Sequence, residues 1–124
     1  MPEPLSLTVS LRGTYEVVDE SYQIFRLTGL LDAFSEPAFT SVIKQHISEG
    51  PSNIILSLAQ IDFVDSSGIG AMVQLVKFTQ NAGGTMQVVT NPRVTQTVKL
   101  VRLEKFLSLR NSIDEAIANL PKKK

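Results

Sequence analysis

The chain has 124 residues, 43% of them hydrophobic, so it is long enough for one domain with a real core and too short for two. Its 12 Lys and Arg residues balance 12 Asp and Glu residues, which disfavours the broad basic surface that binds nucleic acid or anionic membranes and favours a protein or small-molecule partner. The absence of cysteine excludes disulfide scaffolds, zinc–thiolate sites and thiol catalysis.

The beginning of the chain is typical of β structure. Apolar and polar residues alternate over residues 5–11, which predicts a strand that either stands alone or extends the next one. Two β-rich runs, TYEVV and YQIFRLTG, then flank the polar residues 19–21. This arrangement predicts a β-hairpin.

A first helix is predicted between Ser35 and Gly50. Ser35 is a suitable cap, Glu36 favours the positive end of the helix dipole, and Pro37 fits the first turn, where no backbone donor is needed. Gly50 and Pro51 form a strong stop signal. The apolar stripe of this helix consists of Phe39, Val42, Ile43 and Ile47.

Strands and helices alternate in the rest of the chain. NIILSL predicts a central strand covered on both faces, and TMQVVT and FLSL predict two later strands. Apolar positions from Ile69 onward exceed one helical face, so that helix is expected to be embedded, with Gln74, Lys77 and Gln80 toward water. The pattern predicts an α/β fold, an open mixed sheet whose later strands are parallel and joined by helices packed on it.

Two more helices complete the prediction. Pro92 opens the first of them, and Ser112 with Glu115 forms the capping box of the second, which Pro121 ends. The core face of the first is expected to be Val94, Val98 and Val101, and that of the second Ile113, Ile117 and Leu120.

Asp65, Ser66, Ser67 and Gly68 fall between the central strand and the embedded helix. Open α/β sheets usually place their sites at this carboxyl end of the strands, where free N–H groups and the helix dipole favour negative charge. One serine as a helix cap explains one hydroxyl but does not require two. A phosphorylatable serine is the other interpretation, since a phosphoserine gains from the dipole while Asp65 opposes its charge. The residues alone leave both open.

The segment LAQIDFVDSSGIGAMV resembles the phosphorylation loop of the STAS family, the anti-sigma factor antagonists. LTGLLD, residues 27–32, is similar to the second signature of that family, with Leu30 in place of the usual glutamate. The resemblance covers residues 14–120, which leaves residues 1–13 as an N-terminal extension with a potential edge strand and residues 121–124 as a basic tail.

This resemblance implies a STAS fold and a binding protein that is not an enzyme. Ser66 would be phosphorylated by an anti-sigma factor that is itself a serine kinase, and a phosphoserine phosphatase would reset it. The unphosphorylated form would bind the kinase and release the sigma factor. The docking surface around Ser66 would include Asp32, Asp65, Ser67, Gly68, Ile69 and Asn91. No cofactor, metal, nucleic acid or membrane is expected, and the protein should be a cytoplasmic monomer or weak dimer.

Other function classes are weaker. A nucleotide hydrolase lacks Gly-Lys-Ser or Gly-Lys-Thr, although weak nucleotide binding near the loop stays open. A response-regulator receiver would need an early acidic pair after its first strand, whereas Asp19 and Glu20 lie in the predicted turn. A serine hydrolase needs a base, and the only histidine is His46 on the first helix. The remaining alternatives are a STAS signalling or scaffold protein of another partner-switching pathway and a non-switching interaction module.

Overall fold

The computed structural model of the protein describes residues 2–121. Within this range six strands form one sheet whose spatial order follows the sequence, and residues 122–124 of the predicted basic tail lie outside the described residues. The strands are β1 (Glu3–Pro4), β2 (Leu11–Val18), β3 (Tyr22–Leu31), β4 (Ile54–Val64), β5 (Met86–Val89) and β6 (Leu109–Arg110). The helices are α1 (Glu36–Glu49), α2 (Ser66–Asn81), α3 (Pro92–Leu100) and α4 (Ile113–Ala118). Strands β1 to β3 pair antiparallel and β3 to β6 pair parallel, which confirms the predicted open mixed α/β sheet.

The prediction of a strand over residues 5–11 is wrong, except that its last residue, Leu11, is the first residue of β2. Residues 5–10 are irregular, and β2 begins at Leu11. The Thr8 hydroxyl accepts a hydrogen bond from the Leu11 N–H at 3.1 Å and closes a turn, while Leu5 and Leu7 pack against the core. The apolar alternation therefore reflects core contacts of a turning segment. An edge strand does exist, but it is Glu3–Pro4, paired with residues 14 and 15 of β2.

The predicted hairpin is confirmed. β2 and β3 pair from Leu11 opposite Gly29 to Val18 opposite Tyr22. Asp19 and Glu20 take left-handed backbone conformations in the turn, with φ of 51° and 56°. Such conformations match the turn to the right-handed twist of the two strands.

β4 is longer than the predicted strand and irregular in its second half. Its last buried residues, Leu58, Ile61 and Val64, are three positions apart, whereas a regular strand buries every second residue. Two register shifts against β3 account for this spacing. They bring Leu30 opposite Phe63 and Leu31 opposite Val64, so β3 and β4 end side by side at one edge of the sheet.

The helices cover both faces of the sheet. The main hydrophobic core contains the buried apolar residues of α1, α2 and α3. A smaller cluster consists of Ile24, Ile55 and Val89 of the sheet and Ala116 of α4. Side chains alternate between the faces along each strand, so the smaller cluster lies on the opposite face. Of the predicted α1 stripe, Phe39, Ile43 and Ile47 are buried, and Val42 is half-buried.

Three details of the last third differ from prediction. Val101 is 48% exposed because α3 ends at Leu100 and Val101 follows as the C-cap. The buried residue of α4 is Ala116, while Ile117 is 36% exposed. The last strand is Leu109–Arg110, later than the predicted FLSL.

Candidate functional site

The ends of β3 and β4 and the starts of α1 and α2 meet at one edge of the sheet. The Asp65 N–H donates to the Leu31 carbonyl at 3.2 Å, where the two strands finish. Beyond that point the Asp65 Oδ2 accepts from the N–H of Ala33 at 3.2 Å. One aspartate therefore joins the loop after β3 to the loop after β4.

Asp65 is also the N-cap of α2. Its backbone is extended, with φ of −109° and ψ of −174°, and its Oδ1 accepts from the Gly68 N–H at 3.1 Å. Ser66 already lies in the first helical position. The interpretation that Ser66 or Ser67 caps this helix is therefore wrong, because the residue at the boundary between extended and helical backbone is the aspartate.

Neither serine hydroxyl has a structural partner among the residues that the structure describes. Ser66 is exposed and Ser67 is half-buried. Within residues 2–121, neither hydroxyl makes a hydrogen bond to another protein group. Ser66 is the first residue of α2 and is exposed. It therefore lies at the positive end of the helix, where the first N–H groups have no partner within the helix.

The two glycines after the serines have different roles. A Cβ on Gly68 would lie 2.6 Å from the Leu31 carbonyl oxygen and 2.8 Å from a methyl of Val64, so only glycine lets α2 begin this close to β3. A Cβ on Gly70 would meet nothing within 4 Å. Gly70 lies one helical turn beyond Ser66 and leaves the helix surface beside the hydroxyl bare.

Gly68 and Ile69, both expected on the docking surface, are buried. Ile69 is 3% exposed and belongs to the main core. Their contribution is to anchor the first turn of α2 beneath Ser66.

Asp32 organises the turn between β3 and α1. Its Oδ1 accepts from the N–H groups of Phe34 and Ser35, both at 3.0 Å. Ser35 lies at the N-cap position of α1, as predicted, but its hydroxyl makes no capping bond. Instead it donates to the Leu30 carbonyl at 2.8 Å and accepts from the Asp32 N–H at 3.0 Å. The turn that presents Ala33 to Asp65 is therefore held at both ends.

Asn91 caps α3 and also supports the far half of β4. Its Oδ1 accepts from the Val94 N–H at 2.8 Å. Its Nδ2 donates to three carbonyls of β4, those of Leu58 and Ala59 at 3.2 Å and that of Ile61 at 2.9 Å. β5 pairs with β4 only as far as Ser57, so this side chain takes the place of the missing strand. The sequence did not indicate this role, because Asn before Pro predicts only the start of a helix.

Three apolar side chains at this edge are exposed, which sequence reasoning also missed. Leu30, Phe34 and Phe63 are 36%, 73% and 49% exposed. Leu30 and Phe63 are register partners across β3 and β4. Phe34 follows Ala33 in the turn that is bonded to Asp65. The one available signal was the apolar character of positions 30, 34 and 63 close to strand ends.

His46 lies at the other edge of the sheet. Its carbonyl accepts from the Nε2 of Gln23, near the start of β3, and its ring lies 4.1 Å from the ring of Tyr15. Burial lowers the pKa of His46, and the nearby Glu49 raises it by a smaller amount. Ser66 at the opposite edge therefore has no histidine beside it to act as a base.

The described residues contain neither a group of metal-ligating side chains nor a helix that could span a membrane. No cluster of three or more His, Cys, Asp or Glu side chains among residues 2–121 has a geometry that could hold a metal ion. Over the same range, no helix combines the length and apolar character needed to cross a membrane.

Known proteins resemble this chain over most of its length. A family model described as the STAS domain matches residues 14–116. An anti-sigma F factor antagonist of Paenibacillus polymyxa is 29% identical over 99 residues, which cover 78% of this chain and 85% of the relative.

Solved structures show the same fold. An anti-sigma factor antagonist of Mycobacterium paratuberculosis matches with a TM-score of 0.81 at 21% identity, over 94% of this chain and 98% of the other. The phosphorylated form of SpoIIAA, described as a Bacillus cell fate determinant, matches with a TM-score of 0.65 at 21% identity, over 86% of this chain and 96% of the other.

Proposed function

The chain belongs to the STAS domain family, as its two signature segments predict, and on this premise we propose that it is an anti-sigma factor antagonist controlled by phosphorylation of Ser66. The unphosphorylated protein binds an anti-sigma factor that is a serine kinase, and the sigma factor is released. The kinase brings its own ATP and magnesium. Phosphorylation ends the interaction, and a phosphoserine phosphatase restores it. The protein itself is a cytoplasmic binding module without catalysis, monomeric or weakly dimeric.

One observation carries this proposal: Asp65, and not a serine, caps α2. If a serine capped α2, its phosphorylation would alter the group that makes the capping bond. Here the Ser66 hydroxyl is exposed and supports nothing in the described part of the chain, so its modification leaves the contacts of the fold intact.

The local charges are consistent with a change in binding and not in folding. A phosphoserine carries about −1.5 to −2 charges at neutral pH. At the first position of α2 it gains from the helix dipole, while the adjacent Asp65 carboxylate opposes it. These two effects offset each other in the free protein. A partner that covers Ser66, however, must remove water from the added charge.

A second candidate within the family is a signalling protein of another partner-switching pathway. The observation that favours it is Leu30, which is 36% exposed at the edge of the site, where the family usually has a glutamate. A partner that reads this position by charge would not recognise the leucine. The same serine switch would then control a target other than a sigma factor.

The test is peptide mass spectrometry of the protein purified from its own cells, with and without phosphatase inhibitors, together with identification of copurifying proteins. We expect one phosphate, on Ser66, and a serine kinase that is retained by Ser66→Ala and lost with Ser66→Asp. Ser41→Asp, at an exposed serine of α1, is the matched control and should retain the kinase. Absence of phosphate under every growth condition, or equal binding of Ser66→Ala and Ser66→Asp, would contradict the proposal. Phosphorylation that persists in Ser67→Ala would leave Ser67 as a docking contact.

A further inference from the structure

Leu30, Phe34 and Phe63, which we call the apolar patch, lie near the ends of β3 and β4 that lead to Ser66, and all three are exposed. We propose that the apolar patch is the anchor of the docking surface and takes a partner protein whose contact surface is apolar at its centre and cationic at its edge. A corollary is that phosphorylation of Ser66 weakens this contact by desolvation of the phosphate and not by charge repulsion. This inference rests on the proposed function and specifies the partner and the physics of the switch.

The three side chains lie at the same end of the sheet. Leu30 and Phe63 are register partners on adjacent parallel strands, so they lie side by side on the same face of the sheet. Phe34 is placed by the Asp32 turn, and Ala33 before it is bonded to the Asp65 carboxylate. Ser66 follows Asp65 directly. The apolar patch and the serine are therefore held together by one set of hydrogen bonds.

The fold leaves these side chains in contact with water. Burial of a Phe or Leu side chain contributes about 1.5–3 kcal/mol, yet Phe34 is 73% and Phe63 49% exposed. Both are also fixed on rigid backbone, Phe34 in a turn with two hydrogen bonds to Asp32 and Phe63 in β4. An aromatic side chain on an ordered backbone has only two rotatable bonds left to order on binding, and aromatic residues are enriched at protein interfaces.

The charges at the edge of the apolar patch identify the class of partner. Asp32, Asp62 and Asp65 all lie within two residues of a member of the apolar patch. The Asp62 carboxylate is exposed and makes no hydrogen bond in the described part of the chain, because the Arg93 guanidinium donates to the Asp62 backbone carbonyl instead. Lys or Arg side chains on the partner complement these carboxylates, whereas an anionic membrane would be repelled.

An apolar contact makes the phosphate switch depend on desolvation. Burial of a charged group against the apolar centre of the partner is costly because that centre offers no compensating hydrogen bonds. This cost is short-range and does not depend on ionic strength, whereas repulsion between charges is screened, with a Debye length of about 8 Å at 0.15 M salt and about 3 Å at 1 M. Salt should therefore weaken binding of the unphosphorylated protein through the edge charges but should not restore binding of the phosphorylated form.

The decisive experiment places a photo-crosslinking amino acid at position 30 of the full chain in its own cells. A second chain carries it at position 100, where Leu100 is 76% exposed at the end of α3, as the matched control. We expect position 30 to capture one partner through an apolar peptide flanked by Lys or Arg, in at least about tenfold excess over position 100. Capture through an acidic or uncharged polar peptide, through a second copy of this chain, or at the control level would overturn the inference.

A binding measurement with the captured protein provides the second test. Leu30→Glu and Phe34→Ser should each weaken its affinity at least tenfold, about the effect of losing one well-packed contact, while Leu100→Glu should change it less than about twofold. The ratio of affinities for unphosphorylated and phosphorylated protein should be as large at 1 M salt as at 0.1 M. Unchanged affinities, or a ratio that falls toward one at high salt, would overturn the inference.

These outcomes separate the inference from the proposed function. If the captured protein is not a kinase but depends on Leu30 and Phe34, the docking surface stands and the anti-sigma proposal fails. If the kinase binds the wild-type chain and both variants equally, the proposed function stands and the apolar patch is not the anchor.

Discussion

The Asp65 carboxylate accepts a hydrogen bond from the backbone N–H of Ala33 at 3.2 Å, across a separation of 32 residues in the chain. The same carboxylate caps α2 through the N–H of Gly68. Because one side chain makes both contacts, the position of the turn after β3 and the start of α2 are mechanically coupled. Three predictions test how residues near the site sustain this geometry, and a fourth concerns His46 at the opposite edge of the sheet.

Asp65→Ala should lower the free energy of unfolding by about 1–2 kcal/mol, since it removes a helix cap and leaves the Ala33 N–H without its partner. Urea denaturation followed by circular dichroism measures the change. Asp62→Ala, three residues earlier and exposed, is the matched control and should stay within about 0.5 kcal/mol of the wild type. Equal stability of the two variants would show that Asp65 does not cap α2.

The two glycines of α2 should respond in opposite directions to the same substitution. Gly68→Ala places a Cβ 2.6 Å from the Leu31 carbonyl oxygen and should destabilise the protein by about 1–3 kcal/mol. Gly70→Ala meets open space and should stabilise it by about 0.5–1 kcal/mol through helix propensity. The midpoints of urea unfolding report both changes, and a shift of the two variants in the same direction would contradict the close approach of α2 to β3.

Asn91→Ala should destabilise the protein by about 2–3 kcal/mol, because it removes the cap of α3 and the donor to three carbonyls of β4. Asn91→Asp retains the cap but brings a carboxylate against those carbonyls, so at neutral pH it should be no more stable than the alanine variant. Chemical unfolding of both variants gives the comparison. Asn111→Ala, at an exposed asparagine, serves as the control. A fully stable Asn91→Asp would mean that the Nδ2 contacts are dispensable.

The stability of the protein should fall as the pH drops below about 6.5, the pKa of an unfolded histidine. Burial against Tyr15 lowers the pKa of His46 in the folded state, so the unfolded chain binds a proton first and gains from acidification. The stabilisation that comes from neutral His46 is complete above about pH 6.5. It is lost as the pH falls from there to the lowered pKa of His46 in the folded protein. His46→Phe preserves the ring packing and should remove the His46 part of the pH dependence below about pH 6.5, measured by urea unfolding in matched buffers. The same slope in the variant would assign it to other groups.

The types and order of most elements were predictable because they depend on local signals. The period of the α1 stripe, the stop at Gly50 and the alternation of strands and helices follow from neighbouring residues. The second half of β4 was not predictable, because its buried residues every third position arise from register shifts against β3, which are properties of the pair of strands.

The composition of the site was predicted better than its geometry. Asp65, Ser66 and Ser67 are all good caps, and sequence could not say which of them lies at the helix boundary. That choice depends on where β4 ends relative to β3, a tertiary relationship. The exposure of Leu30, Phe34 and Phe63 escaped prediction for a similar reason, since apolar residues near strand ends are usually buried.

The short β1 strand has a consequence for the solubility of the protein. Edge strands can add strands from other molecules, and proteins protect them with short segments and prolines. Here the outermost strand has two residues, one of them Pro4, which has no N–H to donate. Residues 5–10 then run past the start of β2, and Ser10 accepts from the Leu30 N–H at 2.9 Å. Deletion of residues 2–10 would therefore open an unprotected β-edge for amyloid-like growth and, in the same step, loosen the end of β3.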